Sequence, residues 1–187
     1  MRRGFKAEAE RMAASVREAL LLDGLDPLDP WAYAAHLGVM ILEFDALGVT
    51  DGCREQLLDR DPDSWSGMTI REGGATAILL NPVQGRARQC STLMHELAHI
   101  LLRHTPVNVQ LSSTGMLLLS DYSPEQEDEA DWLAAAMLLP RDAIVVHRSR
   151  GRSATDIAAH FGVSEQLTEW RLRMTGVDLQ IRRAGRR

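Results

Sequence analysis

The sequence predicts an α+β fold: a mainly helical single domain with a small antiparallel β-sheet packed beside its most distinctive helix, and a small helix-turn-helix-like C-terminal part. Three observations carry this expectation. Residues 84–103 and 123–139 are long stretches with helical apolar spacing and end signals, the pattern of helices buried along one side. Two β-leaning runs, 66–71 and 75–80, flank Glu72, Gly73 and Gly74, which reads as a hairpin closed by a short glycine turn. Two short helical patterns near the end, 153–161 and 164–174, are separated only by Gly162 and Val163.

Taken in order, residues 5–22 place Met12, Val16, Ala19 and Leu20 at helical spacing, and Gly24 with Pro27 stops that helix. Pro30 opens a short helix over 31–37 at the favoured first-turn position, and 39–44 reads as a strand. After the hairpin, the helix 84–103 carries Leu93, Leu97, Ile100 and Leu101 on one side. Residues 105–122 read as a loop or irregular insertion, whose apolar run 116–119 is either a buried plug or a surface for a partner. Ser123 as N-cap, Pro124 at the first position and Gln126 closing a capping box then start a helix that Pro140 ends. The expected organisation is a core over 1–146 and a small basic helical part over 147–187.

Composition excludes several classes. Of 187 residues, 45% are hydrophobic and 25% charged, the balance of a globular chain rather than a disordered one. No apolar run approaches the ~18 residues of a membrane span, and charges interrupt the first 22 residues as they would not in a signal peptide. A cytoplasmic location is expected. Cys53 and Cys90, in no CxxC arrangement, read as packing residues and exclude a cysteine-built metal site. The net charge of −5 is uneven, because nine arginines face four carboxylates from His147 onward and leave the preceding residues at −10. An arginine-rich solvated end accounts for this, and direct nucleic-acid binding is not expected.

The strongest chemical signal is His95-Glu96-Leu97-Ala98-His99, inside the helix over 84–103. Positions four apart share a helix face, so both imidazoles can reach one cation while Glu96 stands beside it. With six histidines and twelve glutamates, an accidental HExxH somewhere in the chain has a chance of roughly 1%. Zinc is the natural occupant, since two imidazoles and a carboxylate leave one tetrahedral position for water. Glu96 is then placed to take that water's proton and pass it to a leaving amine.

A third ligand is required. The extended motif with glycine three and histidine six residues after the second histidine is excluded, because Leu102 and Thr105 stand there and His104 falls one residue early. Attention moves to the acidic start of the next helix, Glu125, Glu127, Asp128, Glu129 and Asp131, although carboxylates also favour a helix N-terminus for its dipole alone. Glu127 and Asp131 share a face with Ala130, Ala134, Ala135 and Leu138, whose small side chains let two helices approach. Glu127 is therefore the favoured ligand, with Glu129 its competitor, and Asp131 is expected to fix the tautomer of a ligand histidine.

The chain resembles the ImmA/IrrE metallopeptidases. The matching segments are ILLN at 78–81, TLM at 92–94, HELAHILL at 95–102 and EDEADWLAAAMLLP at 127–140, with IAAHFGVSEQLTEWRL at 157–172 similar to the family's helix-turn-helix-like end. Asp131 and Leu133 stand where the family commonly has asparagine and phenylalanine. The resemblance spans about 26–177 and implies a zinc endopeptidase of the cytoplasm with a gluzincin-like ligand set. It further implies a helix-turn-helix (XRE-type) transcriptional repressor as substrate, cut to relieve repression in a mobile element or stress response.

Two other classes compete. A zinc-containing module could sequester a repressor without cutting it, since the same site serves both. A DNA-binding regulator is suggested by FGVS at 161–164, but the second helix there offers Glu165 and Glu169 before Arg171 and Arg173, and those carboxylates repel phosphate. His36, His147 and His160 read as scattered surface or core histidines, and Trp65, Trp132 and Trp170 as core. For the donor that stabilises an oxyanion, Tyr33, Tyr122, His104 and His147 are all conceivable. An extended substrate is expected to pair with the strand over 75–80 if that strand forms the sheet's edge.

Overall fold

A computed structural model describes residues 1–111 and 117–184, with 108–111 and 117–121 described by their backbone alone. Along the chain come α1 (Phe5–Ala19), α2 (Pro30–His36), β1 (Met40–Leu42), α3 (Asp51–Glu55), β2 (Gly67–Glu72), β3 (Ala75–Leu80) and α4 (Arg86–Leu101). They are followed by β4 (Asn108–Leu111), β5 (Leu117–Asp121), α5 (Pro124–Leu138), α6 (Arg141–Ser149), α7 (Ala154–Phe161), α8 (Glu165–Thr175) and α9 (Val177–Ala184). The mainly helical α+β class is as the sequence predicts. Contacts divide the chain into two compact units, one formed by Met1–Leu28 with Asp131–Arg187 and the other by Asp29–Ala130. The boundary falls inside α5, and residues 147–187 lie within the first unit.

In the unit Asp29–Ala130 the strands lie in the order β1-β3-β2-β5-β4. The sheet is mixed rather than antiparallel, because β1 runs parallel to β3 while the other pairs are antiparallel. A parallel partner needs a crossover, and the long excursion through α3 between β1 and β2 supplies the length for it. Two further expectations change here. Residues 105–122 hold two strands instead of an irregular insertion; of the apolar run 116–119, residue 116 lies outside the described residues and the rest belongs to β5. The strand 75–80 is not an edge: β3 lies between β1 and β2, and its backbone is spent on both.

Helix α4 packs on β2 and β3. Its Leu93, Met94, Leu97 and Ala98 are buried, as are Ile70, Ala77, Ile78 and Leu79 of the sheet. Close approach depends on Gly67, where an added Cβ would stand 2.6 Å from Thr92 Cγ2 and 3.3 Å from the Leu79 carbonyl oxygen. Buried Asn81 fixes the entry to α4: its Nδ2 donates to the carbonyls of Pro62 (2.7 Å) and Trp65 (3.0 Å), while Gln89 Nε2 donates to the Asn81 backbone carbonyl. Cys90 is buried in α4 as a packing residue, its thiol pushed up to about 11 by burial.

In the other unit, α7 packs on α8, and α9 packs on α6 and α8. Helix α7 begins with a capping box between Ser153 and Asp156, and Ser164 caps α8. Gly162 (φ 68°) ends α7 in the left-handed conformation that favours glycine. Arg171 is fully buried; its guanidinium bonds the Leu139 carbonyl at 3.0 Å and pairs with Glu10.

Candidate metal centre

Helix α4 turns His95 and His99 to one side, with their Nε2 atoms 3.0 Å apart. Ser123 and Gln126 close the expected capping box at the start of α5, Gln126 N–H donating to Ser123 Oγ at 3.3 Å and Ser123 N–H to Gln126 Oε1 at 3.1 Å. The first turn thus fixed carries Glu127, whose Oε2 lies 3.1 Å from His95 Nε2 and 3.7 Å from His99 Nε2. One ligand atom from each of the three residues lies within 4.8 Å of the others.

These separations test the fit of a cation. Bonds of about 2.0–2.1 Å at tetrahedral angles set donors about 3.3 Å apart, and 3.0, 3.1 and 3.7 Å straddle that value. Two imidazole nitrogens and a carboxylate oxygen are also the donor set that a borderline-soft divalent ion takes. The residues fit. Glu127 sits in the group and Glu129 does not.

Glu96 is placed separately. Thr69 on β2, itself fully buried, donates from Oγ1 to Glu96 Oε2 at 2.6 Å. Burial raises the Glu96 carboxyl above its ordinary value, while the Thr69 bond and His95 act in the opposite direction and Glu127 adds to the rise. Tyr122 lays its ring on that of His99, with centroids 3.7 Å apart and planes 22° from parallel. Burial, reinforced by Glu96 and Glu127 against the pull of Arg71, pushes its hydroxyl up to about 12.

Behind His99 stands His104, their Nδ1 atoms 3.0 Å apart, and His104 Nε2 lies 3.7 Å from Glu129 Oε2. Sequence reasoning left His104 among four conceivable oxyanion donors and Glu129 as a rival ligand, and it missed Thr69. The one available signal for His104 was its place just past the motif helix; Thr69 gave none. Of the other conceivable donors, Tyr33 stacks near His36 on α2, and His147 belongs to the other unit. Asp131 also begins the other unit, one residue past the boundary.

A helix with two histidines and a glutamate in HExxH order, facing a carboxylate from a later helix, is the arrangement of the metallopeptidase class. Within that class, the chain belongs to the Peptidase_M78 family, described as the IrrE N-terminal-like domain, whose model matches residues 59–173, more than half of the sequence. No curated protein matches the chain. Among the described residues no helix is long and apolar enough to cross a membrane.

Proposed function

We propose that the protein is a zinc-dependent endopeptidase that cuts a helix-turn-helix repressor of the XRE type and so relieves repression. The observation that carries the catalytic part is the convergence of His95 Nε2, His99 Nε2 and Glu127 Oε2 at spacings that suit a tetrahedral ion. Zinc held there would supply a water of lowered pKa and polarise the scissile carbonyl. Glu96, with one oxygen fixed by Thr69, takes a proton with its carboxylate and delivers it to the leaving amine. Tyr122 is the favoured donor to the oxyanion, because both ring nitrogens of His104 face other groups. Asp131 as a support for a ligand histidine rests on its spacing from Glu127 alone.

The repressor as substrate is supported by the family resemblance. The free thiols of Cys53 and Cys90 suit a reducing cytoplasm as the place of action. With β3 enclosed, an extended substrate segment has the outer strands β1 and β4 to pair with.

Co-expression with a helix-turn-helix repressor of the XRE type, using wild type and Glu96→Gln, tests the whole reading. Wild type is expected to yield a repressor fragment by mass spectrometry, while Glu96→Gln keeps stoichiometric zinc and yields none. Cleavage by Glu96→Gln within tenfold of wild type would sink the mechanism. Binding without cleavage by both would favour the sequestering module, and free cutting of unrelated unfolded proteins a general peptidase.

A further inference from the structure

His104 is tied to His99 by the way α4 ends. Arg103 adopts the left-handed conformation (φ 53°), and the chain turns back so that Arg103 N–H donates to the Ile100 carbonyl at 3.1 Å and His104 N–H to the His99 carbonyl at 3.0 Å. This pair of bonds is the Schellman arrangement. It brings the residue after the turn over the last helical turn and sets the two Nδ1 atoms 3.0 Å apart. The side chains of His104 and Glu129 are 6% and 7% exposed, against 41% for Glu127, so Glu129 is shielded from water where the metal-facing carboxylate is not.

The geometry points to His104 and Glu129 as a positioning pair that holds His99 in the one tautomer able to offer Nε2 to a cation. The inference rests on the metal reading above. A contact between two imidazole nitrogens contains one proton, which sits on either ring. If His104 donates from Nδ1, neutral His99 must carry its own proton on Nε2, where it faces His95 and leaves no lone pair for an ion. If His99 donates from Nδ1, its Nε2 is free to bind, and neutral His104 then carries its proton on Nε2, which faces Glu129. At 3.7 Å the Glu129 carboxylate is beyond hydrogen-bond range, but it attracts a proton on His104 Nε2, and that proton is present only in the second arrangement. In a buried setting that attraction is strengthened by the low local dielectric, and the pair therefore selects the binding tautomer. Glu129 is thus not a rival ligand; it acts through His104 on a ligand.

The test uses the full chain, with zinc affinity measured by competition against a chromophoric chelator. His104→Leu and Glu129→Leu are expected to weaken zinc binding about 10- to 100-fold. His104→Asn, whose side-chain oxygen can accept from His99 Nδ1, should recover affinity to within a few-fold of wild type. Long-range proton–nitrogen spectra of the zinc-loaded wild type should show His99 protonated at Nδ1 and His104 at Nε2, a readout a merely packed histidine would not give. The reverse tautomer on His104 overturns the inference, as do leucine variants within twofold of wild type while His99→Ala loses zinc; the metal reading survives both results. A wild type that takes up no zinc overturns that reading and the pair together. Where the leucine variants fail to fold, the tautomers of the wild type decide.

Discussion

Burial and the neighbouring carboxylates of Glu96 and Glu127 outweigh Arg71 and raise the Tyr122 hydroxyl to about 12. A neutral donor beside the ligands is what a developing oxyanion needs, and one such donor is commonly worth about 100-fold in kcat. Tyr122→Phe is therefore expected to lower kcat about 100-fold with KM nearly unchanged and zinc retained; an equal loss expressed in KM alone would make Tyr122 a binding residue. His147 has a different consequence. It is buried on α6 against His160 and Phe161, and among the described residues neither ring nitrogen has a hydrogen-bond partner. Burial, then His160, Arg152 and Arg150, lower its pKa, so the folded chain keeps it neutral while the unfolded chain takes a proton near the ordinary histidine value. Stability is intact above that value and falls as pH drops below it. Urea unfolding at pH 7 and pH 5 should show a smaller acid loss for His147→Leu than for wild type. The metal residues were legible because HExxH spacing is a local property of one helix. Thr69 and the pairing of His104 with Glu129 were not, and Tyr122 was one of four conceivable donors that only the fold separates, since a hydroxyl or a histidine past a helix end acquires its role only from tertiary neighbours.

At the scale of elements, the end of α4 joins stability to function. Arg103 occupies the position where glycine is usual, and a left-handed non-glycine residue costs about 1–2 kcal/mol. Arg103→Gly is expected to raise unfolding free energy by about 1 kcal/mol in urea titration and to leave zinc affinity unchanged, because the turn that delivers His104 is kept. A loss of zinc in that variant would mean that the arginine side chain itself supports the site. The elements that sequence reasoning found share long periodicity or strong end signals: α4 by its apolar side, α5 by its capping box, and the hairpin by Gly73 and Gly74. Those it missed lack both. Strand β5 begins with three consecutive leucines and shows no alternation, and its identity comes from pairing with Thr69, Ile70 and Arg71 of β2. Helix α6 carries Ile144, Val145 and Val146, which read as strand-like, and α3 is too short for a period to register. The parallel pairing of β1 has no local signature at all.

Across the whole chain, the net negative charge and the three proposed ligands fall in one unit. Asp29–Ala130 holds six arginines against fifteen carboxylates, whereas the unit formed by the two terminal segments holds fifteen cationic side chains against eleven acidic ones. All three proposed ligands belong to the acidic unit. A divalent cation there joins α4 to the first turn of α5 and offsets part of the unit's self-repulsion. It also binds the folded state in preference to the unfolded one, and zinc at 100 times its dissociation constant adds about 2.7 kcal/mol. For a chain of this length each kcal/mol moves the melting temperature by about 2–4 °C, so removing zinc by dialysis against a chelator should lower the midpoint by about 5–10 °C. Readdition of zinc should restore it. His99→Ala should melt near the lower temperature and ignore the chelator, because two remaining donors hold the ion too weakly to add stability. If wild type and His99→Ala both melt unchanged with and without chelator, the three donors hold no ion in the folded protein, and their convergence is an acid–imidazole cluster of packing alone.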